Sequence, residues 1–185
     1  MTKLVEKKLS REEIYDGRII HVYQDDIELP NGNKAKREVV HHPGGVAILA
    51  LDENLEIFLV RQFRYPYQKV LREVPAGKLD AKEEPAVAVR RELREETGAE
   101  VGDLYYLGEF YPSPGFCDEI LHLYFGWVTS VREAEPDEDE FLAVQKISLK
   151  KAVEEVLDNK FEDGKTVALI LKVWYLYQNG KLPQI

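Results

Sequence analysis

The stretch Gly77–Ala99, GKLDAKEEPAVAVRRELREETGA, constrains this chain more than any other. Pro85 suits the first turn of a helix, where a missing N–H costs nothing. Glu83 and Glu84 stand just before it, at the positive end of the helix dipole. Gly98 is a natural left-handed stop. The pattern predicts a helix from about Pro85 to Thr97. At about 100° per residue, Ala86, Val89, Leu93 and Thr97 share a buried face. Glu92, Glu95 and Glu96 fall on another flank within an arc of about 100°. Three carboxylates that close repel one another unless a cation sits among them. The residues alone leave two readings open: a solvated acidic face bridged to Arg90, Arg91 and Arg94, or a cage for a cation.

The rest of the chain reads as one domain with a small appendage, which 185 residues allow. The formal net charge of −9 disfavours a non-specific grip on nucleic acid or anionic membrane. No apolar run approaches the roughly 20 residues of a membrane span, and the N-terminus lacks the apolar core of a signal peptide. The single Cys117 excludes an internal disulfide and fits a reducing cytoplasm. Residues 1–16 read as a loosely held lead-in. Arg18–Glu28 and Lys34–His41 read as strands joined by the turn signal Pro30-Asn31-Gly32-Asn33. Such a hairpin is unstable alone, and Pro43-Gly44-Gly45 breaks the chain after it. We therefore expect a β subdomain over 1–43 and a main domain over 44–185.

In the main domain, strands are expected at Val46–Leu51, Ile57–Val60, Val70–Val74, Val101–Tyr111, Ile120–Val128 and Phe141–Ile147. An acidic, mobile-looking loop spans 130–140. Ser148 and Asp163 are N-caps for two closing helices, the second with an apolar stripe at Val167, Ile170, Leu171 and Trp174. Strands and helices mix without strict alternation, which suggests a mixed sheet with helices on both faces.

The spacing G-x5-E-x7-R-E-L-x-E-E-x-G-A, carried by Gly77, Glu83, Arg91, Glu92, Leu93, Glu95, Glu96 and Gly98, resembles the Nudix box at each fixed position. Ala99 stands where the pattern usually has a larger aliphatic residue. The resemblance implies an α/β/α sandwich and a divalent cation, Mg2+ or alternatively Mn2+ or another. It implies Glu92 and Glu96 as the main ligands, with Glu95 and the Ala76 carbonyl contributing. It gives Gly77, Gly98 and a Glu83–Arg91 ion pair structural roles. Mg2+ prefers a few carboxylate oxygens with waters and substrate phosphates. So held, it neutralises a diphosphate and acidifies a bound water. The general base is expected in the acidic loop, Glu140 first and Glu138 second; such a loop also suits a lid.

Pro114 lies fifteen residues beyond Ala99. That spacing, with Gln62-Phe63-Arg64, Glu73-Val74-Pro75-Ala76-Gly77 and a hairpin ending Lys36-Arg37-Glu38, resembles the ADP-ribose pyrophosphatase subgroup. It implies hydrolysis of ADP-ribose to AMP and ribose 5-phosphate by a homodimer with exchanged N-terminal hairpins. By charge, Arg64 suits a phosphate. Glu73 is placed with the substrate, Glu119 and the backbone at Gly115 with the terminal ribose, and Arg37 and Glu38 with the adenine. Some relatives stack adenine on a hairpin Trp. This chain has none before Trp127, leaving Tyr23, Phe63 or Tyr65. His41 and His42 alternate faces of a strand and are not read as a shared metal site. Cys117 has no cationic neighbours in sequence to activate it. The alternatives are another nucleotide-sugar substrate such as GDP-mannose, a non-catalytic ADP-ribose-binding module, and, disfavoured by the proline signature, a nucleoside triphosphate hydrolase.

Overall fold

Apolar alternation and turn chemistry divide the described residues into strands and three α-helices. The computed structural model describes residues 4–136 and 140–183. Two units separate within it: the chain up to Gly44 together with Tyr111–Ile120, and Gly45–Phe110 together with Leu121 onward.

The first unit is an antiparallel sheet of β1 (Lys7–Asp16), β2 (His21–Glu28) and β3 (Lys34–His41), in that order. Its β2–β3 turn closes as its residues dictate: the Leu29 N–H donates to Asn33 O and the Gly32 N–H to Leu29 O, both at 2.8 Å. The lead-in expected at 1–16 is instead mostly strand. All ten residues of β1 are exposed, so no buried apolar period marks it. Backbone pairing with β2, from Lys7↔Glu28 to Asp16↔His21, holds it, and Arg11 forks onto Asp25 at 2.7 and 2.8 Å. The Tyr111–Ile120 segment zips onto β3. The Val40 N–H donates to Phe116 O at 2.7 Å, and the Asp118 N–H donates to Val40 O at 3.0 Å.

The second unit contains β4 (Gly45–Leu51), β5 (Glu56–Arg64), β6 (Lys69–Glu73), β7 (Ala76–Lys78), α1 (Pro85–Thr97), β8 (Ala99–Phe110), β9 (Leu121–Val131), β10 (Leu142–Ser148), α2 (Leu149–Leu157) and α3 (Gly164–Gln178). The sheet runs β10-β5-β4-β9-β8, with β6 on β5 and β7 on β4. β4 and β9 are parallel and the other pairs antiparallel, so the sheet is mixed.

β4 is buried on both faces, as a central strand must be. Val46, Ile48 and Ala50 pack under α1 with Val89 and Leu93. Ala47, Leu49 and Leu51 pack on the opposite face with Val153, Leu169 and Val173 of α2 and α3. The result is an α/β/α sandwich. Each fully buried Leu or Val contributes roughly 1.5–3 kcal/mol.

Ser148 and Asp163 cap α2 and α3, accepting from the N–H groups of Lys151 and Thr166. Two helix faces differ from expectation. On α3 the buried row is Thr166, Leu169, Ile170 and Val173. The stripe at 167, 170, 171 and 174 has the same spacing one residue on, and Leu171 is exposed. On α1, Ala88 is buried and Ala86 is exposed. The buried face is thus two rows, 88-92-96 and 89-93-97, and the first continues into the carboxylates Glu92 and Glu96.

Candidate active site

α1 begins at Pro85 and stops at Gly98, which adopts φ +72. A side chain at 98 would also meet Arg132 O at 2.1 Å, so the position needs both freedom and smallness. The chain leaving β9 is fastened there: the Arg132 N–H donates to Gly98 O at 2.8 Å and the Glu135 N–H to Glu95 O at 3.0 Å.

The Glu83–Arg91 pair ties the preceding loop to the helix. Arg91 Nε donates to Glu83 Oε1 at 3.0 Å and Nη2 to Oε2 at 2.9 Å. That fork, the stronger form of a charged hydrogen bond, holds the Glu83 carboxyl below its ordinary range and raises Arg91. The remaining Nη1 of Arg91 donates to Glu92 Oε1 at 2.9 Å and Glu95 Oε2 at 3.0 Å.

Glu92 and Glu96 are 9% and 3% exposed. Burial pushes the Glu96 carboxyl up to about 8; the charges of Glu92 and Glu140 add to this, and the Ala76 N–H, donating to Glu96 Oε2 at 3.0 Å, opposes it. Burial likewise raises Glu92, with Glu95 and Glu140 contributing and Arg91 opposing. Glu140 is half-buried, and its charge bears on both. Glu138, the second base candidate, lies outside the described residues. Glu92 lies directly over Gly77, where a Cβ would come within 2.0 Å of its carboxylate. Gly77 leaves the room that this carboxylate fills.

Among the described residues, no three Asp, Glu, His or Cys side chains form a ready-made metal centre. Arg91 holds Glu92 and Glu95 by one oxygen each, and the contact made by Ala76 is through its N–H. The donor chemistry nevertheless suits Mg2+: two buried, hard-oxygen carboxylates one helical turn apart, whose charge Arg91 offsets only in part. Glu92 and Glu96 would hold it, flanked by Glu95.

Arg64 and Glu73 meet each other. Arg64 donates to both Glu73 oxygens at 2.7 Å, and Lys165 Nζ donates to Glu73 Oε2 at 2.6 Å. Glu73 is 1% exposed. Burial alone would raise its carboxyl, but Arg64 and Lys165 outweigh that and hold it below the ordinary range. Lys165 also donates to Asp163 Oδ1 at 3.0 Å. Sequence reasoning found Asp163 only as a cap and missed Lys165 altogether. Its one available signal was position, four residues before Leu169 on the buried row of α3.

Of the other candidates, Phe63 and Tyr65 lie in the second unit, both exposed, and Arg37, Glu38, Gly115 and Glu119 belong to the first. Arg37 forks onto Glu6 at 3.0 and 2.5 Å. Glu38 lines a cavity of about 220 Å³ with Val22, Tyr23, Val40 and Phe116, which brings it together with one of the proposed stacking residues. A Cβ at Gly115 would meet nothing within 4 Å. Glu119 Oε1 lies 3.5 Å from His42 Nδ1, whereas His41 Nδ1 bonds Asp118 Oδ2 at 2.7 Å, so the two histidines have different partners.

Comparison with known proteins shows the family. The NUDIX domain model matches residues 41–170, and the nucleoside diphosphate sugar hydrolase N-terminal domain matches residues 6–40. The ADP-ribose pyrophosphatase of Bacillus subtilis strain 168 is 44% identical over 172 residues, which cover 92% of this chain and 93% of that protein. The methanol dehydrogenase activator of Bacillus methanolicus is 43% identical over 173 residues, 92% and 94% of the two chains. A crystal structure of an ADP compounds hydrolase superposes with a TM-score of 0.82 over 96% of this chain and 97% of that one, at 21% identity, a likeness of fold. With the box residues arranged as described and a domain match over most of its length, this chain belongs to the Nudix hydrolase family.

Proposed function

We propose that this chain hydrolyses the pyrophosphate bond of ADP-ribose, giving AMP and ribose 5-phosphate, with Mg2+ as the required cation. The observation that carries the reading is the buried pair Glu92 and Glu96, with Glu140 close enough to raise both. The kinship with an ADP-ribose pyrophosphatase over nearly the whole chain supports the choice of substrate.

Each residue has a definable task. Glu92 and Glu96 hold the cation, with Glu95 beside them. When bound, the cation neutralises phosphate oxygens and lowers the pKa of a water. Arg91 fixes the directions of Glu92 and Glu95, and Glu83 fixes Arg91. Ala76 orients Glu96 through its N–H. Glu140 accepts a proton from the attacking water, with Glu138 as the alternative acceptor in the same loop. Water oxygen bonds to one phosphorus, the bridging P–O bond breaks, and the departing phosphate leaves on its nucleotide or sugar. We assign Arg37 and Glu38 to the adenine end and Gly115 and Glu119 to the terminal ribose. Arg64 acts through the electrostatic support it gives Glu96, and the enzyme is read as a homodimer.

The test is a product assay with Mg2+ on ADP-ribose, GDP-mannose and other nucleotide sugars, in water enriched in heavy oxygen. AMP and ribose 5-phosphate, one of them labelled, with ADP-ribose giving the highest kcat/KM, is the expected result. Faster cleavage of GDP-mannose would transfer the substrate assignment. Binding of ADP-ribose with no cleavage would make the chain a recognition module.

A further inference from the structure

The backbone that orients Glu96 is itself held from the opposite face of the sheet. The Val74 N–H, two residues before Ala76, donates to Thr166 Oγ1 at 2.9 Å. Thr166 Oγ1 donates in turn to Asp163 Oδ2 at 2.5 Å, and Asp163 also accepts from the Thr166 N–H at 3.0 Å. Thr166 is 0% exposed. Its hydroxyl therefore serves as acceptor and donor at once, in a place where no solvent can replace it. Beside it, Lys165 joins Asp163 to Glu73, the residue before Val74, at 3.0 and 2.6 Å. Two adjacent residues of the strand exit, Glu73 and Val74, are thus pinned by two adjacent residues of the first turn of α3. The Pro75 carbonyl accepts from the Ile48 N–H at 3.0 Å, and the Ala76 N–H then reaches Glu96 at 3.0 Å.

We infer that Thr166 is a positioning residue for the hydrolysis: through Val74 it fixes the strand exit that presents Ala76 to Glu96. The inference rests on the metal-dependent hydrolysis proposed above. A helix N-terminus on one face of the sheet thereby sets the register of a carboxylate on the other. Thr166 is fully buried, and acts only through the Val74–Ala76 backbone.

The test compares Thr166→Val, which keeps the shape and removes the hydroxyl, with Thr166→Ser, which keeps the hydroxyl. The full chain is titrated with MgCl2 while its melting temperature is followed, and kcat and KM for ADP-ribose are measured separately. The Val variant should lose about 10–100-fold in kcat or in Mg2+ affinity, as removal of groups supporting metal ligands typically does, with KM unchanged and the Ser variant restored. A Val variant that melts lower yet keeps the wild-type kcat and Mg2+ titration would overturn the inference and leave Thr166 a packing residue. If Thr166→Val does not fold, Thr166→Ala carries the same comparison. Wild-type protein that Mg2+ stabilises but that leaves ADP-ribose intact would overturn only the substrate reading, and the Mg2+ titrations of the variants would then decide the role of Thr166. Wild-type protein that Mg2+ does not stabilise would overturn both.

Discussion

Glu96→Gln should make the metal-free protein more stable while removing its activity. Burial holds the Glu96 carboxyl at about 8, against an ordinary Glu value of 4.5. Between these values the folded protein keeps a proton that the unfolded chain has lost. Stability contributed at this site therefore falls as pH rises from about 4.5 to about 8, by about 1.4 kcal/mol per unit. The full span gives a ceiling of about 5 kcal/mol, and entry of water and side-chain movement reduce it to roughly 2–4 kcal/mol. Gln carries no charge, and its amide oxygen still accepts from the Ala76 N–H, so the cost disappears and the contact stays. For a chain of this length 1 kcal/mol moves Tm by roughly 2–4 °C. The variant should then melt roughly 5–15 °C above wild type at pH 8, with the gap closing towards pH 5.

Scanning calorimetry in EDTA across that pH range is the assay. Added MgCl2 should raise the wild-type Tm at pH 8 by mass action and leave the variant nearly unmoved. Turnover should fall roughly 10²–10³-fold, the worth of a few kcal/mol of transition-state charge stabilisation. A variant no more stable than wild type at pH 8, or a gap that persists unchanged at pH 5, would refute the reasoning. In either case the ionised Glu96 would not be a burden on the fold.

Removal of a general base costs about 10²–10⁴-fold, so Glu140→Gln should lower kcat by that order. A normal Glu140→Gln beside a dead Glu138→Gln in steady-state assays would move the base to Glu138. Gly77→Ala places a methyl within 2.0 Å of the Glu92 carboxylate, the movable end of a side chain. It should cost turnover and Mg2+ affinity at least about tenfold while the calorimetric Tm changes little. The Arg11 hydrogen bonds lower the Asp25 carboxyl in the folded state. The stabilisation is then present above the ordinary Asp value and is lost as pH falls through the folded one. Arg11 is more than a third exposed, so Asp25→Asn should cost only about 0.5–1 kcal/mol at pH 7. That cost should shrink as pH falls below the ordinary Asp range, as read by urea unfolding.

What was legible in the sequence was what a few neighbouring residues decide. Pro85 and Gly98 set the ends of α1, Ser148 and Asp163 capped α2 and α3, and Pro30–Asn33 made its turn, because each acts on backbone within a few positions. The box glutamates were legible for the same reason, as a helical spacing. What was not legible depends on distant partners. β1 has no buried side to betray it and exists because β2 offers a row of backbone groups. The buried rows of α1 and α3 were each misread in part, since one residue's rotation leaves the apolar spacing intact. Which residues face the sheet is then set by packing. Lys165 and Glu73 are 92 residues apart in the chain, and nothing local to either announces the other.

Two carboxylate clusters of the second unit differ in how their charge is met, and on the proposed reading that difference, more than burial, separates structural from reactive groups. Glu73 is as buried as any acid among the described residues, yet Arg64 and Lys165 cover both of its oxygens, and its carboxyl is held below the ordinary range. Such a group is complete within the fold. Removing one partner strands a buried charge, which is costly, but the pair itself adds no chemistry. Glu92 and Glu96 are buried with one guanidinium nitrogen and one backbone N–H between them, and both are pushed up. Among the described residues the fold tolerates that cost at a single place. It does so where Gly77 clears space, where Glu140 adds a further negative charge, and where Arg91 is already committed to Glu83. On the proposed reading, an arrangement that destabilises the protein on its own would become favourable once a divalent cation and an anionic substrate share the site. By the same argument Arg64, read from the sequence as a phosphate ligand, belongs first to Glu73. Its charge reaches Glu96 through space, so Arg64→Lys, which keeps the charge and loses the fork, should destabilise the protein more than it impairs the chemistry.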